Sequence, residues 1–125
     1  MKDNQTPCCV TSPKLIFPCS GASDVGEITD RAARKLTRDG IGRMYCLAGI
    51  GGRVENIMES TKGASKILVI DGCSSDCARN TFLQAGFKEF AHLRLTDIGM
   101  EKGKSPVSEE KIEIVLKESG KILGH

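Results

Sequence analysis

Tryptophan is absent from this 125-residue sequence, and one Tyr and four Phe are its only aromatic residues. So few flat rings leave no stacking platform for nucleobases. An excess of one charge is missing too. Eighteen Lys and Arg against 16 Asp and Glu give a formal net charge of +2, with the two signs mixed along the chain. Neither nucleic acid nor a membrane is therefore an expected partner. No apolar run approaches the roughly 20 residues that span a bilayer. The opening MKDNQTPCC lacks the apolar segment of a secretory signal, so a cytoplasmic location is expected. No Cys-x-x-Cys occurs, which argues against a thioredoxin-like redox pair.

What the sequence does have is cysteine, six residues of it. In a reducing compartment that density disfavours a disulfide framework and shifts the expectation toward metal binding or reactive thiols. Hydrophobic residues make up 39% and charged residues 27%, the balance of an ordinary globular domain. The length suits one domain with one core. Residues 1–13, polar and containing Pro7, read as an N-terminal tail, and residues 14–125 as the domain.

Hydrophobic periodicity divides the domain into four strand–helix units. Lys14 to Phe17 is a short apolar strand. Residues 23–38 then form a helix that turns Val25, Ile28, Ala32, Ala33 and Leu36 to one side, capped by Ser23 or Asp24 and ended at Asp39-Gly40. Arg43 to Leu47 is a second strand, followed by a glycine turn at 48–52 and a helix at 53–62 with Val54, Ile57 and Met58 inward. Lys66 to Ile70 is apolar and β-branched, as at the centre of a parallel sheet. Asp71-Gly72 turns the chain into a helix at 75–85 carrying Ala78, Phe82, Leu83 and Ala85 and stopped by Gly86. Glu89 to Thr96 alternates, with Ala91, Leu93 and Leu95 opposite His92, Arg94 and Thr96, as on an edge strand. A charged loop at 97–107 leads to a last helix capped by Ser108, with Ile112, Val115 and Leu116 inward. The β-α repetition predicts a single three-layer α/β/α, Rossmann-like domain around a four-stranded, mainly parallel sheet.

Cys19, Cys46 and Cys73 each fall at the carboxyl end of a predicted strand, ahead of a small-residue turn and a helix. That edge is where open α/β sheets bind ligands. Neighbouring strands lie about 4.8 Å apart, so three sulfurs can converge if the first strand sits between the second and third. Cys77, one helical turn past Cys73, supplies a fourth, and four thiolates suit zinc in a tetrahedron at about 2.3 Å. The helix N-termini point partial positive charge at the same place. A single strand-end cysteine could be only a small buried hydrophobe, but three equivalent placements and a Cys-x3-Cys pair favour a metal ion as the partner. No protein partner is identifiable at this level.

Competing readings are weaker. Cys73 and Arg79 fit the Cys-x5-Arg spacing of cysteine-dependent phosphatases. The intervening Ser-Ser-Asp-Cys-Ala has no Gly, however, and Asp76 would repel a phosphate dianion. A thiol enzyme with Cys73 as nucleophile, Cys77 as resolving thiol and Arg79 as anion binder remains the alternative. Iron or an iron–sulfur cluster would use an overlapping ligand set. Gly49-Ile50-Gly51-Gly52 departs from a dinucleotide loop, since Val54 stands where its third glycine belongs. Cys8 and Cys9 read as tail residues, His92 as a surface residue of the edge strand, His125 as mobile and Asp97 as a loop cap.

Beyond Asp71-Gly72-Cys73, the combination Pro-Cys-Ser-Gly at 18–21, Cys-Leu-Ala-Gly-Ile-Gly-Gly at 46–52 and Asp-Gly-Cys-x3-Cys at 71–77 resembles the DGC domain family, named for that tripeptide. The likeness runs over roughly residues 14–110 and includes LTDIGMEKGKSPVSEE. It implies one zinc ion held by Cys19, Cys46, Cys73 and Cys77, and it implies no particular reaction. Cys8 and Cys9 lie outside these motifs.

Overall fold

The computed structural model describes residues 12–125. Cys8, Cys9 and nearly all of the expected tail lie outside them. Four strands form one all-parallel sheet in the order β2-β1-β3-β4: β1 (Lys14–Pro18), β2 (Arg43–Met44), β3 (Lys66–Asp71) and β4 (Ala91–Arg94). The helices are α1 (Asp24–Arg38), α2 (Leu47–Gly51), α3 (Glu55–Lys62), α4 (Cys77–Gln84) and α5 (Glu109–Ile122). β1 and β3 are central, and β1 is paired along its whole length with β3, Lys14 with Lys66 through Pro18 with Ile70. Their apolar runs are thus covered on both faces, as a parallel sheet requires.

Side-chain alternation sorts the interior into two apolar layers. On one face Ile16, Leu68, Ile70 and Leu93 meet Val25, Ile28, Ala32 and Leu36 of α1 and Ile112, Val115 and Leu116 of α5. On the other, Leu15, Phe17 and Val69 meet Ile50 of α2 and Ala78 and Phe82 of α4, with Ile57 and Met58 of α3 packed against them. Phe17 and Phe82 stand edge to face with ring centroids 4.7 Å apart, a favourable aromatic geometry.

The helix caps follow the sequence. The Ser23 hydroxyl accepts from the Gly26 N–H at 3.1 Å, and Ser108 accepts from the Lys111 N–H at 3.2 Å. Gly40 and Gly86 turn the chain after α1 and α4 at φ of 75° and 94°, a region open to glycine.

Three expectations need correction. The second strand ends at Met44 rather than Leu47, and residues 47–51 are helical where a turn was expected. As an edge strand β2 has only β1 to pair with, and the apolar run that follows serves a buried helix turn equally well. Val54 precedes α3 instead of facing inward and is 44% exposed, while Leu83 of α4 is 42% exposed. β4 is also shorter than expected, because Leu95–Ile98 forms a 3-10 turn.

At the amino edge of the sheet the two described ends come together. The Lys14 ammonium donates to the Leu123 carbonyl at 2.6 Å, and Ser12, Pro13, Lys14 and His125 line one cleft.

Candidate metal centre

With β1 between β2 and β3, the condition for convergence of the strand-end cysteines is met. Cys19 follows β1 directly, Cys46 lies two residues past β2, Cys73 two past β3, and Cys77 opens α4. All four are free thiols. Cys19 and Cys73 are half-buried, Cys46 and Cys77 exposed. Cys19 and Cys46 line one open groove of about 500 Å³, together with Tyr45, Asp30, Arg34 and Thr81. Thr81 lies one turn along α4 from Cys77 and donates to the Cys77 carbonyl at 2.7 Å.

Small residues let these turns approach one another. A Cβ on Gly72 would fall 2.9 Å from the Val25 carbonyl carbon, and one on Gly26 would fall 2.5 Å from the Gly21 carbonyl oxygen. The turn after Asp71 is thereby pressed onto the start of α1, as is the turn after Cys19. Ser20 adopts φ 51°. Its N–H donates to the Thr29 hydroxyl at 3.1 Å, and the Cys19 sulfur lies 3.6 Å from the same hydroxyl oxygen.

The four sulfurs do not gather into a closed coordination sphere. Among the described residues, the group of three or more potential ligands whose atoms all lie within 4.8 Å of one another is Asp71, Asp76 and His92. A tetrahedral thiolate site would need sulfurs about 3.8 Å apart, given Zn–S bonds of about 2.3 Å. The structure therefore brings the cysteines to one edge without drawing any three of these four sulfurs within 4.8 Å of one another. The donor set suits zinc in chemical type, all four groups being thiols without a disulfide bond among them. The Cys73 thiol is held below its ordinary range, first by the Ser75 backbone N–H and then by the Ser75 hydroxyl, against an opposing push from burial.

The helix ends contribute less free positive charge than the sequence suggests. Asp71 is 1% exposed. Its carboxylate accepts from the Ala78 N–H at 2.8 Å and the Arg79 N–H at 3.0 Å, occupying the first amides of α4. The Asp24 carboxylate and Ser23 do the same at α1. Arg79 is exposed and interacts with Asp71 through its backbone.

His92, expected at the surface, is instead a working part of this edge. Its Nε2 lies 2.9 Å from Asp71 Oδ2. Two residues on, the Arg94 guanidinium forks onto both oxygens of Asp76, with Nε at 2.8 Å from Oδ1. That contact holds the Asp76 carboxyl below the usual carboxylate range. The alternation along β4 already places His92 and Arg94 on one face. What the sequence could not supply is the partner, because Asp71 reads only as a turn residue. Asp97 lies 3.4 Å from Arg94 and is largely exposed.

No solved structure matches the chain. The "Anaerobic and virulence modulator AnvM" of Pseudomonas aeruginosa is 31% identical over 88 residues, covering 70% of this chain and 67% of that protein. The DGC domain profile matches residues 15–119, nearly the whole of the described domain. The chain belongs to the DGC domain family.

Proposed function

We propose that this protein binds one zinc ion through Cys19, Cys46, Cys73 and Cys77, and that the ion serves a structural, metal-handling or regulatory role. The observation that carries this reading is the placement of four free thiols on one sheet edge, after three adjacent strands and at the start of α4. Four protein ligands leave no open position for a substrate water, which argues against hydrolysis. Closing the coordination sphere asks the four sulfurs to come within about 3.8 Å of one another. Because the related AnvM is by its name a modulator, a regulatory use of the ion is preferred to a catalytic one. Elemental analysis of untagged protein, purified reduced and without chelator, tests this. One equivalent of zinc is expected, lowered in each Cys→Ser variant. Content below about a fifth of an equivalent would refute it, since such sites bind tightly. Iron at the site would colour the protein, whereas zinc is colourless.

The low-lying Cys73 thiol favours a second reading, thiol chemistry at that residue. In the metal-free reduced protein Cys73 should then alkylate faster at neutral pH than a free model thiol. A rate no faster than the model removes this reading.

A further inference from the structure

We infer that His92 and Arg94 of β4 are positioning residues that hold the Cys73–Cys77 segment in place from the neighbouring strand. The inference deepens the metal reading above and rests on it for its affinity measurement alone.

A carboxylate precedes each cysteine of the pair. Asp71 lies two residues before Cys73, and Asp76 immediately before Cys77. Asp71 fixes the first turn of α4 by accepting from Ala78 and Arg79 at 2.8 and 3.0 Å, so the direction in which Cys77 leaves the helix depends on it. His92, at 2.9 Å, orients that carboxylate from β4. Asp76 adopts the left-handed conformation at φ 51° and ψ 44°, and its side chain makes no capping bond to α4. For a residue other than glycine that conformation persists only where the surroundings enforce it. The enforcing contact is the Arg94 fork, a bidentate geometry that lysine cannot reproduce. The register supports the assignment: β4 pairs in parallel with β3, Val69 opposite His92 and Asp71 opposite Arg94. Both side chains therefore stand on the α4 side of the sheet, away from Leu93, which packs on the other face.

Asp71, Asp76 and His92 could be mistaken for a cation site, since their ligand atoms lie within 4.8 Å of one another. Each carboxylate oxygen is already committed to a donor: Asp71 to two amides and His92, Asp76 to Arg94. The arrangement is a brace between β4 and the cysteine turn, with Asp76 met by the Arg94 guanidinium and Asp71 by two amides and His92.

The test compares Arg94→Met, Arg94→Lys and His92→Gln with Lys35→Met, which breaks the distant Lys35–Glu113 pair. Three quantities are read: zinc affinity by chelator competition, the visible spectrum of the cobalt-substituted protein, and amide exchange at Ala78 and Arg79. Removing a residue that orients metal ligands typically weakens metal binding about tenfold to hundredfold. Arg94→Met and His92→Gln should show that loss, an altered cobalt spectrum and faster exchange at both amides. Arg94→Lys should recover only part of it, and Lys35→Met should change none of the three. Affinity within twofold of the parent, with spectrum and exchange unchanged in both Arg94→Met and His92→Gln, would overturn the inference. If the parent protein takes up no zinc, the metal reading falls. Amide exchange in the reduced protein then decides the positioning role by itself, unchanged exchange overturning it and faster exchange upholding it.

Discussion

Gly72 occupies an unforgiving position between Asp71 and Cys73. An added Cβ would lie 2.9 Å from the backbone of Val25 and 3.0 Å from the Gly26 nitrogen, atoms that cannot swing aside. Gly72→Ala is expected to cost about 1–3 kcal/mol, the usual penalty of overpacking. Gly51, where the nearest foreign atom would be a Thr81 methyl at 3.7 Å, should accept Ala with no loss. Urea denaturation of the two variants checks the contrast. A composition-based reading sees two turn glycines here and cannot separate them, because what separates them is distance to a helix far along the chain. The same limit hid His92. Its place on the face opposite Leu93 was legible from alternation, but its contact with Asp71 joins residues 21 positions apart. Val54 and Leu83 failed for a related reason. Each has the hydrophobicity of a core residue, but Val54 stands just ahead of α3 in extended backbone and Leu83 on an exposed part of α4, and local spacing does not register either.

At the scale of elements, the reliable signals were those with a local cause. The α1 stripe, the Ser23 and Ser108 caps and the apolar β3 run all follow from propensity and periodicity. β2 and β4 came out shorter than expected because pairing, absent from a single sequence, decides where an edge strand stops. The link between α1 and the loop after the 3-10 turn was also illegible. The Asp24 carboxylate accepts from the Gly103 N–H at 2.9 Å and the Ser105 N–H at 3.0 Å. These bonds, Gly103 first, hold its carboxyl below the ordinary 3.8, as Arg94 does for Asp76. Both groups are stronger acids folded than unfolded. Their stabilisation is complete above the unfolded value and is lost as pH falls from about 4 through the folded values. The urea midpoint should decline across that acid range, and Asp24→Asn should lower stability near neutrality while making the decline shallower. A parent-like slope in the variant would contradict this account.

For the whole molecule, the strand order carries most of the functional content. The β-α repetition was sufficient to anticipate a parallel sheet and the edge at which its cysteines emerge. It did not fix how closely the sulfurs approach, which depends on side-chain direction in the turns. Cys19 packs with the layer of Phe17 and Phe82, and Cys73 with the layer of α1 and α5. A single ion held by both would thus join the two apolar layers as well as the three turns that follow β1, β2 and β3.

The meeting of the described ends at the amino edge has a practical consequence. Lys14 is latched to the Leu123 carbonyl, and His125 shares a cleft with Ser12 and Pro13. The cysteine turns lie at the opposite pole of the strands. A domain fused after His125, or a surface to which the protein is tethered there, would start from the amino edge of the sheet. The thiol-bearing edge would then face outward, toward whatever approaches it.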